Sequence, residues 1–152
     1  MRRFHQFLIF TFASLIGLLL AAPAFAGIAG CWKTIDDKTK QAKSYVKISI
    51  KKNGTASGVI KKLLARKDDP KCTKCKGAKK GKRVTGMEII WGSKKSGKEW
   101  SGGKILDPKN GKVYSNKLWV NPKNAKNLKV RGYVLFFFRT QNWWRVANKL
   151  CG

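Results

Sequence analysis

Four cysteines, seven acidic residues and a single histidine, His5, set the range of chemistry open to this chain of 152 residues. Cys72-Thr73-Lys74-Cys75 has the spacing of a redox dithiol, and its neighbouring lysines would lower a thiol pKa and favour the thiolate. A thioredoxin-type pair, however, stands at a helix start beside a βαβ unit, and no such pattern surrounds these residues. A zinc ribbon needs two such pairs at ligand spacing, and histidine is the usual alternative ligand, so a metal site is a weaker reading still. A structural loop disulfide is favoured for Cys72 and Cys75, with no metal and no cofactor expected.

The carboxylates offer little more. Asp36, Asp37, Asp68, Asp69 and Asp107 stand beside Lys, Pro or Gly in apparent turns, where hydrogen bonds to nearby backbone explain them. Glu88 differs, because it lies inside a strand-like run, Val84-Thr85-Gly86-Met87-Glu88-Ile89-Ile90-Trp91. Alternation groups it with Val84, Gly86 and Ile90. Facing inward it would bind a cation or an internal Arg or Lys, whereas on the solvent face it simply answers nearby lysines. One such acid is not an active site.

The start of the chain removes the histidine as well. Met1-Arg2-Arg3 precedes an apolar run from Phe7 to Ala22 and then Pro23-Ala24-Phe25-Ala26, which has small residues at the third and first positions before a cut. That is a secretory signal peptide over residues 1–26, cleaved after Ala26, and the run is too short to favour a retained membrane helix. The expected product is one domain over residues 27–152, periplasmic or secreted, with no transmembrane segment. Without histidine, Ser-His and Cys-His nucleophilic schemes fall away, and no catalytic residue is expected. The protein reads as a non-enzyme.

Losing Arg2 and Arg3 leaves 32 Lys and Arg against the seven acids, a net charge of about +25. Nearly all are Lys, spread as pairs such as Lys51-Lys52, Lys61-Lys62, Lys79-Lys80 and Lys94-Lys95. Such a surface favours anionic partners at low salt, although a merely solvated, repulsive face is the plainer reading.

The elements that must position these residues are strands. Short runs rich in Val, Ile, Thr, Tyr, Phe and Trp alternate with Gly, Asn, Asp, Pro and Lys, which predicts an antiparallel all-β fold. Strands are predicted over 30–35, 43–51, 55–64, 83–91, 100–106, 112–120, 128–138 and 140–147. In the second, Val46, Ile48 and Ile50 alternate with Lys47, Ser49 and Lys51, as a strand with one buried face should. Asn53-Gly54 predicts a type I′ hairpin turn between the second and third. Eight hairpin-linked strands suit an up-and-down barrel, which has no open edge, and a two-sheet sandwich is the alternative.

Gly30-Cys31-Trp32 on the first strand and Gln141-Asn142-Trp143-Trp144-Arg145 on the last resemble the lipocalin pairing, in which an arginine covers the Gly-x-Trp tryptophan at the closed end of the barrel. The segments GCWKTIDD, CTKCKG, WSGGKILDPKNGKVY, LKVRGYV and TQNWWR, in this order, are similar to the bacterial secreted family called domain of unknown function 2147, a lipocalin-like group. The resemblance implies an envelope barrel with a binding role, closed by Gly30, Trp32 and Arg145, with Arg139 the weaker partner for Trp32. It supplies no substrate. The Lys content and Cys31 inside Gly-x-Trp depart from the family pattern.

In a closed barrel the first and last strands are neighbours, so Cys31 with Cys151 and Cys72 with Cys75 is the favoured pairing of the three possible. The competing reading takes Ile28-Ala29-Gly30-Cys31 as a lipobox, making Cys31 the acylated terminus of an outer-membrane lipoprotein. Six tryptophans in so small a domain either build a ligand-sized cavity or fill a core. Trp100, Tyr114, Tyr133 and Trp143, with Glu88, are the candidate ligand-binding residues. The expected function is binding of a small apolar or amphipathic ligand inside the barrel. The alternative is a cationic envelope protein that binds anionic lipid or lipopolysaccharide through its lysines. Nucleic acid, suggested by aromatics among lysines, is disfavoured by export.

Overall fold

The computed structural model describes residues 27–152, and the signal peptide predicted over residues 1–26 lies outside them. Eight antiparallel strands follow in chain order: β1 Gly30–Ile35, β2 Ala42–Ile50, β3 Thr55–Leu63, β4 Glu88–Ser96, β5 Glu99–Asp107, β6 Lys112–Asn121, β7 Asn124–Val134 and β8 Phe137–Val146. Each pairs with the next, and β8 returns to β1 through Cys31↔Val146, Trp32↔Arg145 and Lys33↔Trp144. The up-and-down barrel predicted from alternation is the fold. No helix among the described residues is long and apolar enough to cross a membrane.

Period-two alternation places the core. Ser44, Val46 and Ile48 of β2 point inward, and so do Ala56, Gly58 and Ile60 of β3 and Leu128 and Val130 of β7, all buried. Gly58 and Ile90 show why one wall needs glycine: a Cβ on Gly58 would lie 2.9 Å from Ile90 Cβ. The barrel has two unlike ends. The turns after β2, β4 and β6 join the chain start and a short 3-10 turn, Asn148–Cys151, at one end. The β1–β2, β3–β4, β5–β6 and β7–β8 connections ring the other.

Three local expectations are corrected. Residues 83–87 are not strand: Val84 N–H donates to Pro70 O, Thr85 N–H to Asp69 Oδ1 and Gly86 N–H to Ile60 O, tying this segment into the long β3–β4 loop. The strand runs on through Gly92, whose positive φ marks an irregularity opposite Gly103, and turns only at Gly97. The seventh strand ends at Val134 rather than Phe138, because the chain reverses at Leu135-Phe136 and Val134 pairs with Phe137. At Asn53-Gly54 only Gly54 has a positive φ, and Lys51 N–H bonds Thr55 O across three residues. A three-residue turn ending in a left-handed glycine therefore replaces the two-residue type I′ form.

Candidate ligand cavity and its closed end

At the closed end, Trp32 is fully buried and its Nε1–H donates to Ile28 O at 2.8 Å. Arg145, not Arg139, lies over the indole, with its guanidinium carbon 4.1 Å from the ring centroid. Its Nη1 and Nη2 donate to Ala29 O at 2.8 Å and Gly27 O at 2.6 Å, so one side chain stacks on the plug and fastens the chain start across it. Gly30 makes room: at φ 134° it sits where side chains rarely go, and a Cβ there would come within 2.5 Å of Arg145 Nη1. Burial pulls the Arg145 pKa down, yet a guanidinium stays charged at any physiological pH. The Cys31–Cys151 disulfide ties the tail after β8 to β1 beside this plug.

Above the plug the barrel holds a cavity of about 670 Å³ that opens between the loops of the other end. This lies within the roughly 300–1,000 Å³ range of small-molecule sites. Its walls include a group of aliphatic side chains, Ile60, Leu63, Ile89, Ile105 and Val130, and Trp143 contributes the one indole. Thr34, Ser44 and Tyr114 bring hydroxyls. Its rim carries Lys43, Lys71, Lys74 and Lys109 beside one acid, Asp107, while its two arginines are already paired, Arg66 with Asp68 and Arg139 with Asp37.

A polar chain fixes the Trp143 wall. Trp143 Nε1–H donates to Gln141 Oε1 at 3.0 Å, Gln141 Nε2 donates to Asp37 Oδ2 at 3.0 Å, and Asp37 also pairs with Arg139. Across the mouth, Asn110 Nδ2 donates to the Tyr114 hydroxyl at 3.1 Å. The β3–β4 loop overhangs the opening, held by the Cys72–Cys75 disulfide, whose two residues are buried. It seats against Gly111, where a Cβ would collide with the Lys74 carbonyl. No cysteine among the described residues is free.

The predicted ligand residues thus separate. Tyr114 and Trp143 border the cavity. Trp100 pairs with Leu118 and packs on the core near the closed end, while Tyr133 is not itself in the lining but lies tilted against Phe138, with ring centroids 6.2 Å apart. Glu88 is also outside the lining. It accepts a hydrogen bond from Ser57 Oγ at 2.6 Å and pairs with Lys51 Nζ at 2.8 Å. Burial acts to raise its pKa, but Lys51 and Ser57 outweigh that and hold it below the ordinary carboxylate range. Beside it, Lys79 caps the Trp91 ring at 3.6 Å, and burial lowers the Lys79 pKa. Sequence reasoning missed the aliphatic walls, although the alternation that marks Ile60 and Val130 was visible. It also missed the rim cations, which nothing separates from the other lysines until the loops are folded.

Residues 30–145 match the family described as "uncharacterized protein conserved in bacteria (DUF2147)". The chain belongs to this family. No curated protein gives a significant match. Among solved structures, this DUF2147 chain is similar to protein HP1028 from the human pathogen Helicobacter pylori, which belongs to the lipocalin family. The two share 16% identity and a TM-score of 0.69, over 82% of this chain and 86% of that one. Likeness at that identity speaks to the fold, and the closed eight-stranded barrel agrees with it. Two disulfides in a member of a bacterial family also fit an extracytoplasmic location.

Proposed function

We propose that this DUF2147 protein is exported after loss of residues 1–26, and that residues 27–152 bind a small amphipathic molecule in the barrel without transforming it. The cavity carries the reading: aliphatic side chains in its walls suit an apolar body, and the rim lysines Lys43, Lys71, Lys74 and Lys109 suit an anionic head left at the mouth. Trp143 and Tyr114 flank the body, with the Gln141–Asp37 chain holding the Trp143 ring in place.

Rim cations are partly hydrated, so each head-group contact is worth only about 0–1 kcal/mol, and most affinity must come from apolar burial. Binding should therefore respond weakly to salt and strongly to chain length. Fluorescence titration with anilinonaphthalene sulfonate, followed by displacement with fatty acids of increasing length, tests this. One saturable site, with displacement improving as the chain lengthens, is the expected result. Absence of saturable binding for both the anionic dye and neutral phenylnaphthylamine would overturn the reading.

A further inference from the structure

The β7–β8 hairpin does not look like the rest of this surface. On a chain dominated by lysine, its tip exposes four consecutive large apolar side chains: Leu135 at 88%, Phe136 at 96%, Phe137 at 77% and Phe138 at 60%. Leu135 takes a left-handed φ of 51°, where hairpins ordinarily use Asn or Gly, so the turn keeps an apolar residue against its own backbone preference. Strain of this kind gathers at functional sites. Nothing in the barrel core needs these side chains.

Position and charge say what covers the tip. Val134, Phe137 and Phe138 border the cavity mouth, which also carries Lys43, Lys71, Lys74 and Lys109. Arg131 lies 4.2 Å over the Phe138 ring just below the tip. An apolar wedge behind a cationic collar is how a protein lies on an anionic bilayer, with rings among the acyl chains and cations at the headgroups. A second copy is a poor occupant, because chains carrying about +25 each repel one another.

We propose that the Leu135–Phe138 tip inserts into an anionic lipid leaflet and seats the cavity mouth on the membrane surface. The apolar tip, not the lysines alone, then makes the attachment resistant to salt. This goes beyond the cavity reading and survives its failure: Gly132→Leu, which narrows the cavity, should leave vesicle binding unchanged.

The test is co-sedimentation of the purified chain with phosphatidylcholine vesicles, with and without phosphatidylglycerol, across a salt series. Leu135→Gly with Phe136→Asn puts glycine at the one left-handed position of this turn, so its thermal midpoint should hold or rise; Phe136→Ser is the second variant. The wild type should bind the anionic vesicles with a fraction that persists at about 0.15 M salt, and both variants should lose about tenfold or more of that fraction. Equal binding by wild type and variants would overturn the proposal. So would wild-type binding that salt abolishes completely, or a wild-type dimer that the variants convert to monomer.

Discussion

Replacing Cys31 and Cys151 together by alanine should cost this barrel far more stability than replacing Cys72 and Cys75. The first bridge spans a sequence separation of 120, the second only 3. If each acts mainly by restricting the unfolded chain, loop-closure entropy gives about 5 kcal/mol for the long loop and about 2 kcal/mol for the short one. Both bridges are buried, so losses of packing are similar and the difference of about 3 kcal/mol is the robust quantity. Urea unfolding followed by tryptophan fluorescence reads it directly. With an m-value of about 1.5 kcal/mol/M, the long-loop variant should lose about 3 M in midpoint and the short-loop variant about 1 M. The reasoning fails if the 31/151 variant loses less than about 1 kcal/mol, or if the 72/75 variant loses more than it.

Gly30→Ala should destabilise by about 2 kcal/mol or more, because it strains a left-handed backbone and displaces the Arg145 guanidinium from Trp32. Chemical denaturation of Gly30→Ala, Arg145→Ala and the double variant should show losses that do not add, since both break one contact set. Glu88 has a folded pKa below its unfolded value of about 4.3, so its stabilising share is present above that pH and is lost as pH falls through the folded value. Glu88→Gln should therefore flatten the acid limb of the stability profile, and an unchanged acid limb would count against the Lys51–Glu88–Ser57 cluster.

Much of the barrel was legible because alternation survives where strands are long and one-sided. Val46 and Ile48 mark β2 plainly, and the lipocalin resemblance of Gly30, Trp32 and Arg145 implied the closed end that the structure shows. What misled was chemistry that does not look local. The β7–β8 turn hides in an unbroken apolar run, Val134 to Phe138, with no Gly, Asn or Pro to announce it. Gly92 reads as a turn residue but serves a strand irregularity against Gly103.

The cavity-lining residues were only partly legible for a related reason. Parity identifies which face a residue shares, not how high along the barrel it stands. Trp100 faces the core yet sits at the closed end, below the cavity, and the register shift between Ser101 and Gly103 breaks counting along β5. The rim cations come from four separate connections and strands, and only folding brings Lys43, Lys71 and Lys109 to one mouth. With so many lysines in the sequence, none of the three announces itself.

The central claim is that the cavity holds an amphipathic ligand, and calorimetric titration of dodecanoate into the wild type and Gly132→Leu tests it most directly. Gly132 lines the cavity, and a Cβ there meets Tyr114 Cβ at 3.5 Å, so a larger side chain grows into the lumen without colliding with backbone. The account predicts one site per wild-type chain and affinity at least about tenfold weaker in Gly132→Leu, a loss of about 1.4 kcal/mol, with the thermal midpoint retained. Equal affinity for the two proteins, or heat without saturation in the wild type, would contradict it.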